Sequence, residues 1–454
     1  MNPYIFREYD IRGIVETDFT PEVVILLGQA FGTYVRRKGS NRIIISGDVR
    51  LTTVRLKDNF TQGLLKAGIN VIDIGIVPTP VNYFSMFKLD VDGAVQITGS
   101  HNPPEFNGFK LSYKQRPFYG EQIQVLKKLI KNGDFEMGTG SVEELDIMKT
   151  YQEMLKGKIS LDRKLKAVMD CGNASACLSA PNIFTDVGIE TSELYCDVDG
   201  TFPNHHPDPT EDSNLIELVR KVQLGTYDFG VAFDGDADRL VAVDETGAIV
   251  RSDILMAVFL PEIIKNAGDA IVFDVKCSQA LEDMIYRYGG KPVMCKTGHS
   301  IIKDKMKELD VSFAGEMSGH IFFADDYYGY DDAIYVSLRL AQLLSRTDKT
   351  FSELIADIPI YYSTPEMRIE CRDDEEKFKI SKKANKFFNE NYHCISIDGV
   401  RIQFDDGWGL VRASNTQPVI VCRFEAKTVD RMHSIQNEIL DKLSEFGEIS
   451  LEHF

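Results

Sequence analysis

"RIIISGDVRLTTVRLKDNFTQGLLKAGINVIDIG", residues 42–75, reads as a buried strand, a turn of small and polar residues, a helix, a glycine and a second strand. The same order returns in "KAVMDCGNASACLSAPNIFTDVGIETSELY" (166–195) and in "DAIVFDVKCSQALEDMIYRYGGKPVMC" (269–295). The glycine before the second strand falls at 68, 188 and 289, at a similar distance from each turn. Continuous apolar strands alternating with helices indicate βαβ units, with parallel or mixed sheets covered on both faces. A threefold repeat at this spacing predicts three similar α/β domains.

After about residue 367 the pattern changes. "KFKISKKANKFFNENY" is helical, "SIDGVRIQF", "DDGWGLVRAS" and "PVIVCRFEA" read as strands, and the Asp-Gly pairs at 398–399 and 406–407 suit hairpin turns. The last helix carries apolar side chains at 432, 435, 439 and 443, a spacing that makes one buried face. The expected architecture is therefore three α/β domains with mixed sheets (1–150, 151–254 and 255–366) and a C-terminal α+β domain (367–454), around a central cleft. No low-complexity linker separates them, so the four units should pack around a shared centre.

Composition limits the partners. The 454 residues are 43% hydrophobic and 26% charged, ordinary for a soluble globular chain, and the net charge is −18. That charge weighs against nucleic acid and anionic membranes, which need a basic field. It leaves open a small phosphorylated ligand held by a local group of cations. No apolar run reaches the ~18–20 residues of a membrane helix. The N-terminus lacks a signal-peptide core, and the eight cysteines form no C-x-x-C pair, so reduced thiols and a cytoplasmic location are expected. Oligomeric state is not legible.

Several short stretches carry chemistry. In "ITGSHNPPEFNGFK" (97–110), prolines 103 and 104 end a strand, so Ser100 should stand on an exposed loop, beside His101 and ahead of Lys110. A plain turn capped by Ser and Asn has the same composition. In "DFGVAFDGDADRLVAVDETG" (228–247), Asp234, Asp236 and Asp238 alternate between two strands. Three carboxylates so close repel unless a cation neutralises them, and Mg²⁺, an oxygen-seeking ion, suits them. An EF-hand begins the same way, but Arg239 stands where its glycine must be and strands flank the motif. A phosphatase that uses Asp234 as nucleophile and a solvated acidic turn both remain open.

"AGEMSGHIFF" (314–323) offers Glu316, Ser318 and His320 at alternate positions, either a polar loop or an acceptor pair for vicinal hydroxyls beside an imidazole. "VRASNTQPVI" (411–420) puts Arg412, Ser414, Asn415 and Thr416 between strands, a set that suits a phosphate. Lys276, Lys296 and His299 in the third repeat, and Tyr9 and Arg12 in "FREYDIRG", are further candidates.

Read in order, "FREYDIRG", "TGSHNPPEFNGFK", "DGDADR", "GEMSGH" and "RASNTQP" resemble the α-D-phosphohexomutase family, and most of all its bacterial phosphomannomutase/phosphoglucomutase branch. The resemblance spans the whole chain. One departure is Gly99, where many relatives carry alanine, expected to matter only for loop flexibility. The resemblance implies reversible phosphoryl transfer between C1 and C6 of mannose or glucose phosphates. The route would be a phosphoserine at Ser100 and a hexose 1,6-bisphosphate. It implies Mg²⁺ on Asp234, Asp236, Asp238 and the phosphoserine, with Arg239 offsetting charge on the moving group. Lys110, His101, Arg12 and His320 would be the candidates for proton transfer. Glu316 and Ser318 would hold sugar hydroxyls, with Tyr9, Lys276 and His299 also facing substrate. Arg412, Ser414, Asn415 and Thr416 would hold the non-reacting phosphate. Phosphoglucosamine mutase is the alternative within the family, although the methionine of "GEMSGH" favours the mannose/glucose branch. A sugar-phosphate phosphatase is the alternative outside it.

Overall fold

The three repeated segments form as the sequence predicts in the computed structural model, which describes residues 1–414 and 419–447. They comprise Arg42–Gly47, Thr53–Lys66 and Asn70–Ile76; Leu165–Asp170, Ala180–Val187 and Ile189–Leu194; and Ala270–Asp274, Gln279–Arg287 and Lys291–Cys295. Glycines 68, 188 and 289 have φ of +79°, +90° and +77°. In this left-handed region a side chain is strained, which explains glycine at all three helix-to-strand corners.

Each pair of strands is parallel, and each sheet then adds a third parallel strand: Gly93–Ile97, Phe229–Phe233 and Phe313–Gly315. An antiparallel strand follows each one, at Phe106–Tyr113, Leu240–Asp244 and Ile321–Phe323. The sheets are therefore mixed. The turns that join these last strands, at 98–105, 234–239 and 316–320, occupy one equivalent position three times. All three leave the carboxyl end of a parallel strand, where α/β sheets place their ligands.

The fourth sheet has six strands, all antiparallel, from Tyr362–Ser363 to Val419–Ala426. Helix Val429–Ser444 lays Met432, Ile435, Ile439 and Leu443 onto it. This unit is anchored to the third by Arg401, which is 1% exposed and donates to the Val275 and Cys277 carbonyls at 2.8 and 3.1 Å. Trp408 stacks 3.9 Å from that guanidinium, and Glu425 accepts both the Trp408 indole N–H and the Gln279 N–H at 2.8 Å. One hydrophobic core runs through the second and third sheets and takes in Val81, Tyr83 and Phe84 from the first unit, so these three units share a core, while the fourth keeps its own. Among the described residues no helix is long and apolar enough to cross a membrane, and the eight cysteines are free.

Asp332 ties two units together. Its carboxylate accepts the Tyr151 and Tyr327 hydroxyls at 2.8 and 2.6 Å and the Tyr335 N–H at 2.9 Å. Burial nevertheless pushes its pKa up to about 6. A carboxyl whose folded pKa exceeds its unfolded one gives stability that is present at low pH and lost as pH rises through the folded value. Relative to Asp332→Asn, the native protein is expected to lose up to about 3 kcal/mol between pH 4 and 6. Thermal unfolding of both proteins across that range measures the difference; a constant gap would contradict the shift.

Candidate active site

Ser100 has φ +48°, a strained conformation for a serine that costs on the order of 1–3 kcal/mol. Its N–H donates to Thr98 Oγ1 at 2.8 Å, and its Oγ lies 3.1 Å from both Asp234 Oδ2 and His101 Nδ1. The sequence predicts an exposed loop, but Ser100 is only 1% exposed. The second unit closes over it. Gly235 approaches so nearly that a Cβ there would sit 2.2 Å from the Ser100 carbonyl oxygen, and His206 Nε2–H donates to the His101 carbonyl. Gly99 also matters beyond flexibility, because a methyl there would lie 2.5 Å from the Arg50 guanidinium.

Asp234, Asp236 and Asp238 are fully buried, with ligand atoms within 4.8 Å of one another. Lys110, from the strand after the serine loop, reaches Asp236 Oδ2 at 2.7 Å and Asp238 Oδ2 at 2.5 Å. Thr79 Oγ1 adds a 2.5 Å bond to Asp236 Oδ2. The N–H groups of Asp238 and Arg239 both donate to Asp234 Oδ1. Burial opposes the Lys110 charge, but Asp236 and Asp238 outweigh it and raise its pKa. Burial likewise works against a charged Asp236, yet Lys110 holds its carboxyl below the usual range. Asp234, desolvated beside Asp238 and Asp236, is driven well upward. Lys110 leaves two oxygens over: among the described residues, buried Asp236 Oδ1 and Asp238 Oδ1 have no hydrogen-bond partner, although His320 Nδ1 stands 3.6 Å from the second. Orphaned carboxylate oxygens in a cluster of three fit a hard divalent cation.

Arg239 Nε donates to His320 Nε2 at 3.0 Å and lies 3.9 Å from Asp234. His320 Nδ1 is 2.9 Å from Asp331 Oδ2, which also has His299 Nδ1 at 3.3 Å and Lys303 Nζ at 2.8 Å from its other oxygen. The two imidazoles stack, centroids 5.2 Å apart. Burial and Lys303 lower the His299 pKa to about 4, and burial with Arg239 lowers that of His101. Asp331 and Lys303 were missed by sequence reasoning; the adjacent acids of "GYDDAIY" before an apolar helix were the signal available.

Glu316 is 1% exposed and accepts the Gly298 N–H at 2.6 Å, and burial raises its pKa. Ser318 is half-buried in the same loop. Tyr9 donates to the Thr297 carbonyl at 2.7 Å, bringing the N-terminal motif against the third unit. Arg12 pairs with Asp10 at 2.5 Å and donates to Asn102 Oδ1 of the serine loop. Lys276 is bound to Glu366 at 3.2 Å, and Lys296 is exposed. Arg412 is 6% exposed and held by Asp398 at 3.0 Å, while the Ser414 carbonyl accepts Lys377 at 2.8 Å. Asn415 and Thr416 lie outside the described residues. Ser100, His101, Lys110, the three aspartates, Arg239, His320 and Arg12 thus gather in one centre. Tyr9, His299 and Glu316 stand on one side of it, and Lys276, Glu366 and Arg412 span the third and fourth units.

Comparisons with known proteins converge on one family. Profiles described as phosphoglucomutase/phosphomannomutase, alpha/beta/alpha domains I, II and III match residues 3–137, 149–247 and 251–362. The C-terminal domain profile of that family matches 366–442. A phosphomannomutase/phosphoglucomutase of Pseudomonas aeruginosa is 42% identical over 441 residues, 97% of this chain and 95% of the relative. A phosphoglucomutase of Neisseria meningitidis is 40% identical over 439 residues, 96% and 95% of the two chains. The crystal structure of a phosphoglucomutase/phosphomannomutase family protein from Burkholderia thailandensis superposes with a TM-score of 0.93 at 38% identity, covering 99% of both chains.

Proposed function

The chain belongs to the phosphoglucomutase/phosphomannomutase family and is a phosphohexomutase, and from that premise we propose that it moves phosphate between C1 and C6 of glucose and mannose phosphates through a phosphorylated Ser100. The observation that carries this reading is Ser100 Oγ, 3.1 Å from Asp234, in one buried centre with Lys110 and Arg239. A phosphoserine carries about −1.5 to −2 charge, and phosphoryl transfer rests on positioning and charge neutralisation. Arg239 and Lys110 supply fixed positive charge at the acid cluster, and Arg12 supplies it at Asn102 of the serine loop.

In the forward direction the free C6 hydroxyl of a hexose 1-phosphate attacks phosphorus. The P–Oγ bond breaks, the hydroxyl proton passes to a base, and Ser100 Oγ regains a proton. His101 Nδ1, at 3.1 Å, is the neighbour suited to exchange that proton, because burial keeps its ring neutral. Lys110, held charged by two carboxylates, acts as a donor and not a base. The resulting 1,6-bisphosphate turns end for end, and its C1 phosphate returns to Ser100. Asp234, Asp236, Asp238 and the phosphoserine would hold Mg²⁺, which when bound neutralises charge on the transferring group.

Glu316 and Ser318 are assigned to O3 and O4, and Arg412 with Ser414, Asn415 and Thr416 to the distal phosphate. Glucose and mannose differ only at C2, so a grip on O3 and O4 does not separate them. The half-turn of the bisphosphate exchanges O3 and O4 and leaves that grip intact. Both sugars are therefore expected as substrates with kcat/KM within about a hundredfold of each other, where a hydroxyl read strictly would give ~10⁴. Galactose phosphate, inverted at C4, leaves buried Glu316 partly unpaired and should be much poorer. Competing-substrate assays with glucose, mannose, galactose and glucosamine 1-phosphates, primed with bisphosphate, test this. Rejection of glucose or mannose, or a preference for glucosamine, would overturn it.

A further inference from the structure

Arg50 lies outside the acid cluster and the histidine network, in the turn after the first repeated strand, and is 3% exposed. Its guanidinium donates four hydrogen bonds to main-chain carbonyls, three in the serine loop and one at the first residue of the strand after it. Nη2 reaches Ser100 at 2.7 Å and Asn102 at 2.5 Å; Nη1 reaches Pro103 at 2.6 Å and Phe106 at 3.1 Å. Nε faces Asp48 Oδ2 at 3.2 Å. Asp48 in turn accepts the Gly99 and Arg50 N–H groups at 3.1 Å and the Thr53 hydroxyl at 2.6 Å. From the second unit, the Phe202 ring covers the guanidinium at 5.2 Å, and a Cβ on Gly200 would stand 2.4 Å from the Val49 carbonyl oxygen. The loop's own main-chain bonds are sparse: Asn102 N–H to Gly99 O and Phe106 N–H to Pro103 O, both at 3.0 Å.

We propose that Arg50 is a positioning residue for phosphoryl transfer, gripping the back of the serine loop so that Ser100 keeps its left-handed backbone with Oγ aimed at the acid cluster. The inference rests on Ser100 being the phosphoryl carrier. Arg50 hydrogen-bonds carbonyl oxygens and not Oγ, so it acts on the geometry of the nucleophile and leaves substrate contacts alone. A planar fork of five N–H donors spans four carbonyls; the three N–H groups of a lysine radiate from one atom and cannot. A displacement of about 1 Å at a reacting group can cost roughly a hundredfold in rate.

Arg50→Lys keeps the charge and is expected to lower kcat by roughly 30- to 100-fold with KM changed less than about threefold. Phosphorylation of Ser100 by glucose 1,6-bisphosphate, followed by intact mass, should slow by a similar factor, and circular dichroism reports whether the variant is folded. A folded Arg50→Lys with native kcat, or one whose loss lies in KM, overturns the proposal. Should Arg50→Lys fail to fold, Phe202→Leu, which removes only the ring over the guanidinium, decides: kcat reduced several-fold at unchanged KM supports the grip, and native kcat overturns it. Ser100→Ala in the native background separates the two failures. Activity there refutes the phosphoserine itself, whereas native-rate phosphorylation in Arg50→Lys refutes only the role of Arg50.

Discussion

Ser100→Ala is expected to fold and to lose mutase turnover by roughly a thousandfold or more, the scale of removing a covalent carrier. The fold should persist because the change deletes one hydroxyl, and the loop is held from behind through carbonyls that alanine retains. Some stability should go: Asp234 Oδ2 and His101 Nδ1 each lose a partner 3.1 Å away in a buried site, a loss of about 1–3 kcal/mol. Intact mass of the native protein should carry one phosphoryl group in a fraction of molecules, absent from the variant. Retained activity with no need of a bisphosphate primer would defeat the phosphoserine route and turn attention to Asp234 as nucleophile. Asp234 Oδ1 already accepts two main-chain N–H groups, which fixes that carboxylate but makes it a weaker nucleophile.

The fold was legible because its signals are local. Glycines 68, 188 and 289 mark corners where the chain itself demands a positive φ, and β-branched runs such as Ile43–Ile45 need no distant partner to be read as buried strands. The residue types of the site were legible for the same reason: Asp234, Asp236 and Asp238 alternate within a single turn. What the sequence concealed is long-range. The common position of the three turns, each after a third parallel strand, depends on strand order and not on spacing. The burial of Ser100 comes from Gly235 and His206, more than a hundred positions away. Asp331, Asp398 and Glu366 hold His320, Arg412 and Lys276, and each looks like an ordinary surface acid until the chain is folded. Arg50 carries no signal in the sequence, because an arginine in a turn is usually solvated and its four carbonyl partners are all about fifty residues further on.

Removal of divalent metal is expected to abolish nearly all turnover, with Mg²⁺ restoring it and raising the melting temperature by a few degrees. The reasoning is one of charge and valence. Lys110 satisfies one oxygen each of Asp236 and Asp238, Arg239 stands 3.9 Å from Asp234, and among the described residues the other oxygens of Asp236 and Asp238 accept no hydrogen bond, His320 Nδ1 standing 3.6 Å from the latter. A phosphoryl group on Ser100 would add further negative charge to that centre, more than these cations offset. A ligand that binds only the folded state stabilises it by about 2.7 kcal/mol at a hundred times its Kd. Asp238→Asn removes one charged ligand, keeps the volume, and should weaken Mg²⁺ binding at least about tenfold. Calorimetric titration of Mg²⁺ into chelator-treated native and variant protein measures that difference, and thermal melts with and without Mg²⁺ measure the stabilisation. The alternative nearest to hand is a structural acidic cluster neutralised by Lys110 and Arg239 alone. It predicts full activity after chelation, no heat on titration and an unchanged melting temperature.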